Sequence, residues 1–261
     1  MTRTATTSMT TDERQMTMSA TKAEAEEAVA RTRPGFSFAD WRIGKVFYTG
    51  DWHFGHERII ELCDRPFESL EAMHRRIIRN TNKVVGSTDT LVIVGDTIMG
   101  KFEDTVKLLR QVKAGRIWLL PGNHDKFSLA YGHRGAGETQ RIKRELWRRE
   151  YESARVVAGR GRGEIRAEPD LAPSVWHTEI AEQRVALSHY PYVGDSGETD
   201  RHRWLRPRDS GLPLVCGHVH TRWQTKGPMF NVGVDVNDFA PVPERELELW
   251  LRELKAGSRA E

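Results

Sequence analysis

Five short apolar runs in this chain each end on a side chain that can bind a metal ion. KVFYT (45–49) is followed by Gly50, Asp51, Trp52 and His53, and TLVIV (90–94) by Gly95 and Asp96. RIWLL (116–120) is followed by Pro121, Gly122, Asn123, His124 and Asp125. RVAL (184–187) leads to Ser188 and His189, and PLVC (213–216) to Gly217, His218, Val219 and His220. Each residue alone has a plainer explanation, since an Asp after a glycine usually makes a turn or a helix cap. Five in succession do not. Open α/β sheets gather their ligands at the carboxyl ends of their strands, and glycine there permits the turn that aims the next side chain inward.

Two Asp, one Asn and four His offer nitrogen and oxygen donors suited to Mn²⁺, Fe, Zn²⁺, Co²⁺ or Ni²⁺. No thiolate belongs to the set, which argues against a structural zinc or iron–sulfur site. A carboxylate shared by two cations would hold them about 3.5–4 Å apart, the spacing of dinuclear hydrolases. His218 and His220, two residues apart, would share a face if their strand continued. An HExxH helix or an early HxH, which a zinc peptidase or amidohydrolase would want, is not present.

The elements that must position these groups are those of a layered α/β domain. Leu70, Met73, Ile77, Ile78 and Val85 form a helical stripe with Ser69 as N-cap. Phe102, Val106, Leu109 and Val112 form another, with Gly115 at its C′ position. A last helix starts after Pro241 or Pro243 and carries Leu247, Trp250, Leu251 and Leu254 on one face. Residues 1–38 read as a disordered tail, with a short exposed helix over 22–31 and methionines at 9, 16 and 18 that leave room for a later start. Residues 39–261 then form the domain, with a basic helical insertion at about 126–180.

The order D-x-H, G-D, G-N-H-D, H, G-H-x-H resembles the signature of the calcineurin-like metallophosphoesterases, over Asp51 to His220. The words FYTGDWHFGHERII, RPF, PGNHD, LSHYP and GHVH resemble a small bacterial and phage branch of that superfamily. The resemblance implies a four-layer αββα sandwich of two mixed β-sheets flanked by helices. It implies that Asp51, His53 and His220 hold one metal, that Asp96 bridges, and that Asn123, His189 and His218 complete the second. His124 would lie by the substrate, oriented by Asp125, and Asn123 would help hold the phosphoryl oxygens. His56 and Arg65 match the branch, which makes both candidates for phosphate contact.

The implied cofactors are two divalent ions, Mn²⁺ first. The implied reaction is hydrolysis of a phosphodiester, or of a monoester, by a hydroxide bridging the metals. The alternatives are a silent scaffold or interaction module on the same fold and, within enzymes, a nuclease or nucleotide phosphatase. Expected partners are a phosphorylated small molecule, a nucleotide or nucleic acid, and no membrane.

Composition sets the outer bounds. Apolar residues make up 38% and charged residues 30% of the 261 residues, enough for a core and a solvated surface, and the net charge is +3. Residues 138–166 hold nine Lys or Arg against five Glu, and Arg201, Arg203, Arg206 and Arg208 surround Trp204 in a second basic run. These runs read either as a footprint for a nucleic-acid backbone or, preferentially, as a solvated helix face. In the latter case Ile142, Leu146, Trp147 and Tyr151 pack on the other side. Cys63 and Cys216 make no disulfide framework and read as small buried hydrophobes, which fits a reducing cytoplasm.

Overall fold

The computed structural model describes residues 38–129, 138–154, 156–158, 161–168 and 175–257. Its strands are β1 (Val46–Thr49), β2 (Thr90–Val94), β3 (Arg116–Leu120), β4 (Val156–Ala158), β5 (Gly161–Ala167), β6 (Trp176–Ile180), β7 (Gln183–Leu187), β8 (Leu214–Cys216), β9 (Thr225–Lys226), β10 (Met229–Asn231) and β11 (Val242–Pro243). The helices are α1 (Phe38–Trp41), α2 (Ile59–Leu62), α3 (Leu70–Val84), α4 (Phe102–Leu109), α5 (Glu138–Ser153) and α6 (Glu244–Gly257).

Two mixed sheets result. The first runs β11-β1-β2-β3-β5-β4 and the second β6-β7-β8-β10-β9. In the first, β1, β2, β3 and β5 are parallel, and antiparallel β11 and β4 close the edges. In the second, β7, β8 and β10 are parallel between antiparallel β6 and β9. The central strands of the first sheet are buried on both faces, which is why they read as unbroken apolar runs. Phe47, Leu91, Ile93, Ile117 and Leu119 meet Met73, Ile77 and Ile78 of α3 and Phe102, Val106 and Leu109 of α4 in one core cluster. The alternate residues Tyr48, Val92, Val94, Trp118 and Leu120 are also buried, on the opposite face of the pleat. Trp250 of α6 packs its ring against Phe230 of β10 at 5.4 Å. The two mixed sheets flanked by helices are the expected αββα class.

Local signals explain the helices. Ser69 Oγ accepts the Ala72 N–H at 3.2 Å and starts α3. α6 begins directly after Pro243. α4 differs from expectation: it ends at Leu109, and Val112 is buried in the turn beyond it. Gly115 therefore does not cap that helix. It leads into β3, where a Cβ would stand 2.6 Å from Ser87 O and from the Ile43 side chain.

The expected tail lies outside the described residues except for its last residue. Phe38 is buried and stacks on Trp118 with ring centroids 4.3 Å apart, so it belongs to the domain. Among its described residues the basic insertion is only partly helical. After α5 the chain adds β4 and β5 to the first sheet and β6 to the second. Two of the arginines of α5 are met from within: Arg148 is buried against Glu145 and Glu152, both at 2.7 Å, and Arg149 reaches Glu145 at 3.0 Å. Trp147 and Tyr151 pack against Phe102, whereas Ile142 and Leu146 are exposed.

Candidate metal centre

The carboxyl ends of β1, β2, β3, β7 and β8 deliver Asp51, His53, Asp96, Asn123, His124, His189, His218 and His220 to one place. Backbone hydrogen bonds tie the first two loops together: Asp51 N–H to Gly95 O at 3.1 Å, His53 N–H to Asp96 O at 2.9 Å and Phe54 N–H to Thr97 O at 3.0 Å. Asp51 (φ 56°), His53 (53°), Asp96 (52°), His218 (71°) and His220 (48°) all adopt the left-handed conformation. Side chains with a Cβ avoid that region, at a cost of about 1–3 kcal/mol each, and such residues cluster at functional sites. This geometry also corrects the expectation that His218 and His220 share a face of a continuing strand. β8 stops at Cys216, and the two histidines project from a turn and a short 3₁₀ segment.

Absent side chains make room for the carboxylates. A Cβ on Gly122 would land on Asp96 Oδ1, and one on Gly217 would stand 2.7 Å from Asp51 Oδ2. Within that space Asp96 Oδ2 lies 3.5 Å from His53 Nε2, 3.4 Å from His189 Nε2 and 3.9 Å from His124 Nε2. Asp96 Oδ1 accepts the His124 backbone N–H at 2.8 Å. Asp51, His53 and His220 bring one donor atom each within 4.8 Å of one another, as do Asp51, Asp96 and His189, and His53, Asp96 and His124. Asn123 Oδ1 is 3.2 Å from His189 Nε2.

Three of the histidines, His189, His220 and His53, meet a hydrogen-bonding partner outside the cluster. His189 Nδ1 donates to Val94 O at 3.0 Å, which leaves Nε2 with its lone pair. His220 Nδ1 donates to Asp235 Oδ2 at 2.8 Å. His218 Nε2 lies 3.2 Å from Asp195 Oδ1, off the hydrogen-bonding direction. His53 Nδ1 faces His56 Nδ1 at 3.4 Å, and the buried His53 Nε2 has no hydrogen-bond partner among the described residues. An orphaned buried nitrogen is costly unless something fills the gap, and a divalent cation would do so.

The electrostatics point the same way. Burial raises the Asp51 carboxyl and lowers the His53 imidazole well below its usual value. Burial also opposes charge on Asp96, but His189 and His124 outweigh it and hold Asp96 well below the usual range. Burial pulls His189 down, yet the Asp96 carboxylate outweighs that and lifts it to about 9. His220 is likewise raised against its burial, by Asp51 and Asp235. The buried carboxylates thus demand positive charge, which protonated histidines supply when no cation does. The donors fit divalent metal ions.

Two expected site residues, Arg65 and Asp125, are engaged elsewhere. Arg65 is buried, and its guanidinium grips Asp235 while donating to Asp51 O at 2.7 Å and Trp52 O at 3.3 Å. No open face is left for a phosphate. Asp125 is buried and does not touch the His124 ring. Its carboxylate accepts from Thr97 N (3.1 Å), Gly122 N (2.9 Å) and Tyr151 Oη (3.2 Å), so it pins the β2 and β3 loops together. Burial and the nearby Asp96 charge push it up to about 7. Cys63 is only half-buried and stands beside His220 and Asp235, unlike the buried Cys216. His56 is half-buried near His124, ring centroids 5.9 Å apart, and burial lowers it to about 4.

The sequence reading missed Asp235, Asp195 and Asn231. Asn231 donates to His220 O at 3.0 Å and Trp223 O at 2.9 Å, clamping the loop that carries His220. Asp235 had a signal, because the run Met229–Val232 passes through Gly233 to Asp235 as the other strand ends do. Asp195 had none, standing in an irregular loop.

A family model described as calcineurin-like phosphoesterase matches residues 44–222. The Gene 66 protein of Mycobacterium phage L5 is 30% identical over 181 residues, covering 69% of this chain and 79% of that protein. The Gene 66 protein of Mycobacterium phage D29 is 30% identical over 211 residues, covering 77% and 94%. The crystal structure of AQ665 from Aquifex aeolicus, a protein of unknown function, has a TM-score of 0.53 at 22% identity and covers 79% of this chain and 98% of that one; this likeness concerns the fold. No helix among the described residues is long and apolar enough to cross a membrane. The family match takes in all the strand ends from Asp51 to His220, and on it the chain belongs to the calcineurin-like phosphoesterases.

Proposed function

We propose that this protein hydrolyses a phosphate ester, a diester before a monoester, at a site for two divalent metal ions. The reading rests above all on Asp96, whose Oδ2 lies between His53 Nε2 and His189 Nε2 at 3.5 and 3.4 Å. In this reading Asp51, His53 and His220 hold one ion, Asn123, His189 and His218 hold the other, and Asp96 serves both. Mn²⁺ is the first choice, with Fe, Zn²⁺, Co²⁺ and Ni²⁺ compatible with the donors. When bound, such ions supply a water acidic enough to attack at neutral pH and neutralise phosphate oxygens.

The chain's own residues do the rest. Asp235 and Val94 O aim His220 and His189. Asn123, half-buried beside His189, can donate its amide hydrogens to a phosphoryl oxygen. His124 is partly open to solvent, 32% exposed at its side chain, and its backbone is fixed to Asp96. It is placed to protonate the leaving oxygen, a contribution of about 10²–10⁴-fold in enzymes generally. The internal ion pairs of α5 favour a phosphorylated small molecule or nucleotide over a nucleic-acid backbone.

The test is hydrolysis of bis-p-nitrophenyl phosphate and p-nitrophenyl phosphate with each metal, alongside metal content. The wild type should hold two equivalents and turn over the diester. Asp96→Asn should keep its fold but lose at least one metal and the activity. A wild type that binds two metals and cleaves neither ester would favour the silent scaffold.

A further inference from the structure

We propose that His56 is a positioning residue for His53: its imidazole accepts the Nδ1 proton of His53 and so turns the His53 Nε2 lone pair toward Asp96. The inference rests on the dinuclear reading above, in which His53 is a ligand. Two imidazole nitrogens that face each other, here Nδ1 to Nδ1 at 3.4 Å, can share one proton and no more. His53 Nε2 is the nitrogen beside Asp96 Oδ2, buried and without a hydrogen-bond partner among the described residues. If that nitrogen gives its lone pair to a cation, the His53 proton must sit on Nδ1. His56 Nδ1 must then be the acceptor, and His56 keeps its own proton on Nε2.

The chain holds His56 in this place. The His56 N–H donates to His53 O at 3.0 Å, which closes the turn between them. Gly55, at φ 84°, sits so near Gly100 that a Cβ would be 2.7 Å from the Gly100 Cα. The Gly55 N–H donates to His74 Nε2 of α3 at 3.0 Å, and Met99 and Gly100 both donate to Phe54 O, at 2.9 and 3.2 Å. Position is thereby fixed before any ligand arrives, as a site of this kind requires.

The partner's chemistry also has a reason. His220 leans on a carboxylate and His189 on a carbonyl, whereas His53 leans on a neutral ring. A neutral acceptor gives direction without adding a further negative charge next to Asp51 and Asp96. Partners of this sort typically change metal affinity by about 10–100-fold when removed.

The test measures metal binding and tautomers, not turnover. Affinity for Co²⁺ and Zn²⁺ is read by competition with a chromophoric chelator for wild type, His56→Ala and His56→Asn, with circular dichroism as the fold control. His56→Ala should weaken the affinity of one site by about 10–100-fold. His56→Asn should recover most of it, because its amide oxygen can accept the same proton. In parallel, long-range ¹H–¹⁵N spectra of the Zn²⁺-loaded wild type should show His56 protonated at Nε2 and His53 at Nδ1. Unchanged affinity in His56→Ala, failure of Asn to rescue, or a His56 protonated at Nδ1 would each overturn the inference. If the wild type binds no divalent metal, the dinuclear reading falls with it; if the wild type binds two and the variants match it, only the role of His56 falls.

Discussion

Arg65 closes a two-point fork on Asp235, Nε to Oδ1 at 2.7 Å and a terminal nitrogen to Oδ2 at 2.9 Å, with both side chains out of water. Through Asp235 the same fork orients His220, and through its bond to Asp51 O it supports the loop that carries Asp51. Removing one member of such a pair leaves a buried charge alone, at a cost of about 3–5 kcal/mol. Arg65→Met should therefore lower the stability of the metal-free protein by that amount in urea unfolding. Arg65→Lys should recover only part, since an ammonium cannot reproduce the fork. A loss below about 1 kcal/mol, the range of an exposed ion pair, would return Arg65 to the list of substrate contacts.

His124 carries a prediction about leaving groups. His124→Ala should keep its metals and lose more rate on an alkyl phosphodiester than on a p-nitrophenyl ester, because a poor leaving group needs the proton and a good one does not. Equal losses on both would remove the general-acid role. Loss of metal would make His124 a ligand.

Gly122→Ala would drive a methyl group into Asp96 Oδ1 and the Asp96 backbone nitrogen. Neither can retreat without moving the β2 loop, so metal affinity and activity should both collapse. Gly257→Ala is the matched control. A Cβ there meets nothing within 4 Å, and alanine in a helix is the better residue, so its melting temperature should hold or rise slightly. A Gly122→Ala variant with normal metal content would show that the Asp96 loop is pliable.

The pH dependence of stability should have a component from His74. Burial lowers this imidazole, and its Nε2 must stay unprotonated to accept the Gly55 N–H. The folded state thus resists protonation while the unfolded chain binds a proton near pH 6.5. Stability from this group is complete above that pH and is lost as pH falls below it. The margin of wild type over His74→Gln in metal-free unfolding should shrink between about pH 7 and pH 5. A constant margin would mean that His74 takes up its proton equally in the folded and unfolded states.

The strand ends were legible because each is written locally, as an apolar run, a turn and a polar residue. Two of the strands, Thr90–Val94 and Arg116–Leu120, match the expected bounds to the residue. What the local signal could not convey was which side chains meet. Asp125 follows His124 in the chain, and the resemblance implied that it orients that ring. Neighbouring side chains diverge, and Asp125 turns under the loops to Tyr151 of α5. Arg65 could be read only as part of a motif, since its partner Asp235 lies far along the chain and the burial of both becomes visible only once the loops are assembled. Asp195 reaches His218 from an irregular segment, and no periodicity marks such a residue.

In the dinuclear reading the ligands are split between the sheets: Asp51, His53, Asp96 and Asn123 leave the first, and His189, His218 and His220 leave the second. Synthesis proceeds from the amino end, so on that reading a chain still emerging from the ribosome owns only part of each coordination sphere until β8 has paired with β7. Metal capture then becomes a late event that reports completed assembly, and free energy of binding is added only to molecules whose two sheets have already met. A chain arrested before residue 214 should be unable to retain metal ions, however well its first sheet has formed.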